Sequence, residues 1–338
     1  MMHRVLLIVL SFLLLASCHK KKTEDPVEDP VPIVPFVPDT GLKCQALPAA
    51  PGPFGWNDSI TNEQESITAF LKNPLNTNEF ICLVKGDITG YNQLFTYNVI
   101  TKNKIPLANL GNFLPSVNKN GWIVFSSVDN NLFRVKSNGD SLIQITYNKT
   151  CLDPKWDATG KAIYYFQQAY SNILSGIVKL SISGPPSNIT FPADLPYHAV
   201  FRKSDQVIYL KTAATEVSLV QKNLITQAER YLVSGPYNPK SETVYFSNLC
   251  LDNNDENFFW SNSLGIFKCN LATLKIDTVL KSCPNYSYTN PLMPLDESEL
   301  TLSMQVLKPL ENSVLLHEYK AMKYDLVYKT LSEVRIFQ

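Results

Sequence analysis

Apolar and polar residues alternate in short runs along most of the chain after about residue 62, with the period of β-strands rather than of helices. The clearest hairpin joins the runs 132–136 and 142–146, because Asn138-Gly139 between two apolar runs favours a tight turn. The 16 tyrosines and 17 phenylalanines far outnumber the 4 tryptophans, and most of them lie in such runs. The pattern predicts an all-β domain over residues 62–338.

Six segments of this region share a bulky residue, a polar turn led in most copies by Asn or Asp, and an apolar strand. The best copies are Trp156 to Tyr164 and Val117 to Phe125. The looser copies are Leu75 to Leu83, Phe201 to Tyr209, Tyr237 to Tyr245 and Leu295 to Ser303. The residues aligned with Ile163 are Cys82, Val124, Ile208, Val244 and Leu302. Successive members of the whole series are separated by 42, 39, 45, 36 and 58 residues, and we interpret each interval as one four-stranded blade.

The chemistry of the turn explains why the pattern recurs. A side-chain oxygen at its first polar position is placed to cap a tight turn, as expected for Asn76, Asn118, Asp157, Asn238 and Asp296. Gly121 and Gly160 permit a positive φ at the end of the turn. We expect the bulky residue before each turn to pack between neighbouring blades.

These residues resemble the repeat of TolB-like six-bladed β-propellers, the PD-type relatives of WD repeats. The segment 112–168 carries the resemblance best, through Trp156 followed four residues later by Gly160 and through the strand ending Ile145-Thr146. Other copies have Glu79, Asp205, Ser241 or Glu299 where glycine is expected. The resemblance implies a propeller of four-stranded antiparallel blades, each continuous in sequence. It would close by packing blade one on blade six, unless residues 42–60 add a strand.

The N-terminal sequence is typical of an export signal. The apolar run Val5 to Leu15 is too short to span a bilayer but suits a signal-peptide core. The sequence Leu15-Ala16-Ser17-Cys18 that closes it resembles the lipobox of bacterial lipoproteins. The resemblance implies removal of residues 1–17 and lipidation of Cys18, which would anchor the protein in a membrane, with the outer membrane as the expected location.

Residues 18–61 form a polar segment rich in proline, which favours extended polyproline II structure over a packed core. We interpret them as a tether between the lipid and the propeller. Lysines 20–22 followed by acidic residues loosely resemble surface-export signals of Bacteroidetes lipoproteins. The alternative is a solvated spacer with lysines beside lipid head groups, so surface and periplasmic locations both stay open.

Charge and motifs limit the function. The chain has 30 basic and 30 acidic residues, which argues against a nucleic-acid partner. Common motifs of hydrolases, nucleotide-binding proteins and metalloproteases are absent, so we predict no catalytic residue, cofactor or metal. His198 and His317 are interpreted as structural or solvent-facing. A metal-dependent lyase of acidic glycans that uses His198 is the alternative.

Six cysteines accompany Cys18 in this exported chain, an even number that permits disulfides. A hairpin centred near Phe259 would place Cys250 opposite Cys269, which makes this pair the candidate disulfide; two buried thiols are the alternative. Cys82 is expected to be a buried thiol.

The segment Asp252 to Trp260 is interpreted as a loop inserted between the second and third strands of blade five. Its polar part does not match the spacing of an EF-hand, which favours a solvated turn over a Ca²⁺ site. Phe258, Phe259 and Trp260 either fold back onto the blade or bind a partner, since aromatic residues often anchor interfaces.

Loop lengths select a binding face. The long segments 86–93, 167–176, 251–263 and 282–294 belong to one predicted face, and function concentrates in long loops on a rigid scaffold. We therefore predict a non-enzymatic binding or scaffolding propeller of the cell envelope, with a protein partner on that face. A glycan-binding protein or a glycan lyase is the alternative.

Overall fold

Successive strands of the chain pair with each other in antiparallel fashion, because short turns join neighbours without a crossover. The computed structural model describes residues 67–85, 92–111, 113–170, 173–182, 186–189, 199–203, 205–212, 216–236, 247–252, 254–262, 264–283, 286–292, 298–309 and 315–334. The predicted signal peptide (1–17) and tether (18–61) lie outside these residues and stay predictions.

The strands form six sheets of four. Blade one contains β1 (Ile67–Lys72), β2 (Glu79–Lys85), β3 (Asn92–Asn98) and β4 (Lys104–Leu110). Blade two contains β5 (Ser116–Val117), β6 (Trp122–Ser126), β7 (Leu132–Lys136) and β8 (Ile143–Gln144). Blade three contains β9 (Cys151–Trp156), β10 (Ala162–Tyr170), β11 (Ile173–Ser181) and β12 (Pro186–Ile189).

Blade four contains β13 (Val200–Arg202), β14 (Gln206–Thr212), β15 (Glu216–Asn223) and β16 (Glu229–Pro236). Blade five contains β17 (Ser247–Leu251), β18 (Asn257–Asn262), β19 (Gly265–Asn270) and β20 (Ile276–Lys281). Blade six contains β21 (Tyr286–Leu292), β22 (Glu299–Pro309), β23 (Leu315–Asp325) and β24 (Thr330–Glu333). The prediction of an all-β, six-bladed propeller with four-stranded antiparallel blades is confirmed. No helix among the described residues has the length and apolar character needed to cross a bilayer.

Hydrophobic cores lie between blades, and each pair of neighbouring blades shares one. Val124 of blade two packs with Trp156 of blade three, and Phe70 of blade one packs with Ala321 of blade six. Trp156, the bulky residue before its turn, is buried there and donates from its indole Nε1 to the carbonyl of Trp122 at 3.0 Å. The expected packing between blades is therefore confirmed for Trp156 and also for Phe201, but it is wrong for Leu75, which is 63% exposed.

Two kinds of loop define two faces of the propeller. We call the "turn face" the one with the turns between first and second strands and between third and fourth strands. We call the "connection face" the one with the second-to-third turns and the links between blades. Ser282 lies on the connection face, where its backbone N–H donates to the carbonyl of Leu264 at 2.8 Å.

The polar turns between first and second strands have the predicted chemistry. The Asp157 carboxylate accepts backbone N–H groups of Lys161 and Ala162 at 2.8 and 3.1 Å, and the Asn118 side chain accepts two in the same way. Gly121 and Gly160 have φ of 71° and 70°. In blade four Asp205 takes this position with φ 53°, which shows that an aspartate replaces the expected glycine without loss of the turn.

Blade five corrects the repeat alignment. The Asp252 carboxylate accepts the N–H groups of Glu256 and Asn257 at 2.9 and 3.2 Å, and Asp255 has φ 62°. This is the repeated turn itself, so the second strand of blade five is β18 and not the copy Tyr237 to Tyr245, which falls outside the described residues. The interpretation of Asp252 to Trp260 as an inserted loop is wrong.

Four turns between third and fourth strands share a motif that the sequence interpretation missed. Each begins with an Asn or Asp whose side chain accepts the second and third following N–H groups, and its fifth residue has positive φ. The first residues are Asn98, Asn223, Asn270 and Asp325, and the fifth residues are Lys102, Gln227, Leu274 and Lys329. Three of these turns have threonine at the fourth position, a repeat visible in the sequence.

Blades one and six close the ring without sharing a strand. The Thr301 hydroxyl donates to the carbonyl of Phe70 at 3.0 Å, and the Ser303 hydroxyl donates to the carbonyl of Thr68. All four strands of each blade are consecutive in the chain. The described residues thus pack blade one on blade six, while the alternative of a strand from residues 42–60 lies outside the described part.

Candidate functional site

A cavity of about 710 Å³ lies where the inner strands of the propeller reach the turn face. Its lining comes from the ends of β1, β5, β9, β13 and β17 and from the turns that follow β5, β9 and β17. The volume falls within the roughly 300–1,000 Å³ that is usual for ligand sites. Because rigid strands hold its walls, the site is formed before any ligand arrives.

The floor of the cavity is apolar and aromatic. Phe70, Trp156 and Phe201 line it, and each of them is almost completely buried in the core between two blades. Tyr164 stacks on Phe201 with ring centroids 4.3 Å apart, which holds the Phe201 ring in place. Packing in the cores therefore holds these rings in fixed positions.

The mouth of the cavity carries more positive than negative side chains, since four lysines and two aspartates line it. The lysines are Lys119, Lys155, Lys161 and Lys203, and the aspartates are Asp157 and Asp252. Lys119, Lys161 and Lys203 are exposed, and within the described part of the chain no ion pair joins them to a carboxylate. Lys203 donates to the carbonyl of Asn254 at 3.5 Å.

The carboxylates of Asp157 and Asp252 at the mouth accept hydrogen bonds from residues of their own turns. Asp157 also accepts the Thr159 hydroxyl at 2.6 Å, and Asp252 accepts the Asn257 amide at 2.6 Å. Lys155 differs from the other lysines, because its Nζ lies 2.9 Å from Oδ1 of the buried Asp153. Three lysines thus remain to meet an anionic group of a ligand.

Polar contacts between blades hold the rim of the site. The guanidinium of Arg202 donates to the carboxylate and to the carbonyl of Asp255 in the next blade, at 2.9 and 3.1 Å. The Tyr164 hydroxyl donates to Asp205 at 2.5 Å, and the Lys179 ammonium donates to the same carboxylate oxygen. These contacts tie blade three to blade four and blade four to blade five.

The contacts at Asp205 also change its titration. Hydrogen bonds from Lys179 and then from Tyr164 hold the pKa of the Asp205 carboxyl below its ordinary value. Burial raises the pKa of Tyr164, and its hydrogen bond to Asp205 adds to this effect. Because the carboxyl pKa is lowered in the folded state, its contribution to stability is complete above the ordinary Asp pKa and is lost as pH falls through the lowered value.

The structure contradicts a direct role of Phe258, Phe259 and Trp260 in partner binding. They form the centre of β18, and the exposed fractions of their side chains are 0, 1 and 0%. Phe258 and Trp260 pack towards blade four, whereas Phe259 packs towards blade six. The prediction is wrong because β18 is covered on both faces, so consecutive aromatic residues are all buried.

The candidate disulfide between Cys250 and Cys269 is also wrong. Both are thiols, and β18 lies between their strands, with Cys250 opposite Phe259 and Cys269 opposite Phe258. They belong to different cores on opposite sides of the blade. Burial raises the pKa of the Cys269 thiol to about 12. Cys82 is a buried thiol, as predicted.

Some of the remaining predicted features lie outside the described residues. This applies to His198 and to residues 86–91. The prediction of long connection-face loops is wrong for 167–176, where β10 and β11 leave two residues between them, and for 251–263, which contains a turn of the turn face and β18. β21 also occupies part of the predicted loop 282–294. His317 lies in β23 of blade six. Among the described residues no cluster of three or more His, Cys, Asp or Glu side chains is placed to hold a metal ion.

Comparison with solved structures agrees with this architecture. A putative TolB from Agrobacterium tumefaciens is 12% identical, with 72% of this chain and 88% of that chain covered and a TM-score of 0.52. The fold is similar to that of TolB. TolB from Acinetobacter baumannii is 12% identical, with coverages of 74% and 67% and a TM-score of 0.48.

An oligogalacturonate lyase in complex with manganese is 9% identical, with coverages of 72% and 74% and a TM-score of 0.44. No model of a protein family matches the sequence, and no curated protein matches it significantly. At 12% identity, the likeness to the Agrobacterium tumefaciens structure supports the propeller fold and leaves function to the chemistry of the site.

Proposed function

We propose that this chain is a non-enzymatic binding propeller of the bacterial cell envelope that engages a protein partner through the cavity on its turn face. The observation that carries the proposal is a preformed cavity with an aromatic floor and, at its mouth, three exposed lysines that form no ion pair with a carboxylate of the described residues. Such a site suits a segment of the partner that combines an apolar side chain with a carboxylate.

The cavity replaces the aromatic segment of blade five as the proposed contact surface. Phe258 to Trp260 are buried, whereas Lys119, Lys161 and Lys203 are exposed beside the cavity. The connection face, where the sequence predicted partner binding, is the alternative surface. The two surfaces are on opposite sides of the propeller, so experiments can separate them.

The anchoring part of the proposal rests on the N-terminal sequence. Lipidation of Cys18 would hold the propeller at the outer membrane, on either the periplasmic or the exterior side, and residues 18–61 would give it reach. A tethered protein meets an envelope partner at high effective concentration, so that even modest affinity of the cavity suffices.

Charge reversal at the mouth tests the cavity. We expect Lys119→Glu together with Lys203→Glu to reduce partner capture by about tenfold or more, because two favourable charges become unfavourable. Capture is measured by crosslinking and pulldown from intact cells. Since both side chains are exposed, Tm should change little.

The matched control is Lys102→Glu together with Lys149→Glu, which makes the same change of net charge at exposed positions away from the cavity. The control should leave capture unchanged. Equal losses in both double variants would indicate a general effect of net charge and would contradict the cavity as the contact surface.

An acidic oligosaccharide is the second candidate ligand, because lysines and ring edges also suit uronic acid residues. Incubation with acidic oligosaccharides, with and without Mn²⁺ or Ca²⁺, separates the two proposals. Binding without turnover would favour a glycan-binding protein. Metal-dependent turnover would overturn the non-enzymatic function.

A further inference from the structure

The connection between blade five and blade six contains a cysteine that is engaged in a disulfide. Cys283 follows β20 and precedes β21, its side chain is 7% exposed, and it is disulfide-bonded. The preceding residue, Ser282, is fixed by its hydrogen bond to Leu264. Cys283 is therefore held in a defined place on the connection face.

The partner of Cys283 follows by elimination. The chain has 7 cysteines, and Cys82, Cys151, Cys250 and Cys269 are thiols. Only Cys18 and Cys44 remain, and both precede blade one. If the sulfur of Cys18 carries diacylglycerol, it has no electron pair to share in a disulfide, so the choice of Cys44 rests on the anchoring part of the proposed function.

We propose that Cys44 and Cys283 form a disulfide that clasps the chain before blade one to the junction of blades five and six. The two thiols lose two protons and two electrons and gain one S–S bond. The disulfide of an exported thiol–disulfide oxidoreductase accepts the electrons and protons and becomes a dithiol. Such exchange enzymes operate in the oxidising compartment to which the signal sequence directs this chain.

The length of chain between Cys44 and blade one permits this link. The stretch from Cys44 to Ile67 reaches roughly 75 Å when fully extended. A domain of about 270 residues has a radius of gyration near 18 Å, so its width is less than this reach. The clasp therefore needs no displacement of β1.

The clasp complements the way the ring closes. The closure contacts described between blades one and six are hydrogen bonds to Phe70 and Thr68 and the packing around Ala321, with no shared strand. A bond from Cys44 to Cys283 encloses blades one to five in one covalent loop. The chain on both sides of blade six is then joined covalently, which opposes opening of the ring at that blade.

The clasp also orients the binding site. Cys283 and the start of β1 lie on the connection face, whereas the cavity opens on the turn face. The tether is thus attached on the side opposite to the cavity. A propeller anchored through Cys18 would present the lysines of the cavity away from its attachment point.

Peptide mapping of the exported, full-length mature protein without reduction tests the pairing. We expect a peptide containing Cys44 joined to one containing Cys283, and separation of the two on reduction. A Cys44 peptide alkylated as a thiol, or Cys283 joined to any other cysteine, would overturn the proposal. The modification of the Cys18 peptide is read in the same experiment: Cys18 without lipid but with Cys44 bound to Cys283 supports the clasp while refuting the anchor.

Thermal unfolding tests what the bond does. Cys44→Ser should lower Tm on the order of 10 °C, because a cross-link over a long loop restricts the unfolded chain. Reduction of the unsubstituted protein should give the same fall, and reduction of the variant should add nothing. Gln45→Ser, a change at the neighbouring position that keeps the thiol, is the control and should leave Tm unchanged.

Cys44→Ser is the decisive variant, because Cys283→Ser also alters a buried position and so has two effects on Tm. An unchanged Tm in Cys44→Ser, or a fall that reduction of the unsubstituted protein does not reproduce, would contradict the clasp.

Discussion

Trp260→Ala is expected to lower the free energy of unfolding by about 3–5 kcal/mol, a large part of the stability of a typical domain. The Trp260 side chain is completely buried, and its ring lies between Phe258 and Phe267 with centroid distances of 5.1 and 5.5 Å. Removing it leaves a cavity in the core shared by blades four and five. Chemical denaturation followed by circular dichroism measures the loss.

Tyr328→Ala is the control for this experiment, since Tyr328 is an aromatic residue on a turn of blade six with 79% of its surface exposed. We expect a change within about 0.5 kcal/mol for this variant. If the two variants were equally stable, β18 would not be a buried strand. That result would support the interpretation of Phe258 to Trp260 as a partner-binding loop.

Gly265→Ala is expected to cost about 3 kcal/mol or more in free energy of unfolding, far above the effect of an ordinary glycine replacement. Gly265 starts β19 with φ of +148°, and a Cβ there would lie 2.0 Å from the carbonyl oxygen of Leu280. That oxygen belongs to the backbone of β20, so only a shift of the strand relieves the clash. Loss of soluble protein or a large fall in Tm is the expected result.

Gly111→Ala is the matched control. A Cβ at Gly111 would lie 3.4 Å from the carbonyl oxygen of Ser127, which is an ordinary contact. We expect this variant to fold and to melt close to the unsubstituted protein. A tolerated Gly265→Ala would mean that β19 and β20 pair differently from the register described.

The fold could be predicted from the sequence because the polar turn found at Asn118 and Asp157 recurs along the chain. Similar residues form it at similar spacing. Blade five was misaligned although its turn keeps the repeated backbone. Asp255 occupies the left-handed position, as Asp205 does in the correctly aligned blade four, because aspartate tolerates this conformation through its short polar side chain. The missing glycine therefore does not explain the error, which arose because this turn and the following strand were interpreted as one loop.

The error at Phe258 to Trp260 arose from a rule about strands with one solvent-exposed face. Alternation of polar and apolar residues predicts such strands, but an inner strand of a propeller blade is covered by neighbours on both sides. A continuous apolar run is then the expected pattern. The polar residues 252–256 beside it made the run look like part of a loop.

The cavity could be predicted only in part. The turn residues Asn118 and Asp157 were identified from their pattern, and they stand beside Lys119 and Lys161. Lys203 comes from another blade, and its approach to the same mouth depends on how the blades are arranged around the ring. Lys203 belongs to no motif, so only that arrangement identifies it as a residue that lines the cavity.

Site-specific photo-crosslinking in intact cells tests the central claim most directly. A photoreactive amino acid is placed at position 119 or 203 beside the cavity, or at position 102 or 149 as controls, and adducts are identified after irradiation. We predict one discrete protein adduct from positions 119 and 203 and none from 102 and 149. An adduct from position 149 on the connection face, with none from the cavity positions, would contradict the proposed binding site.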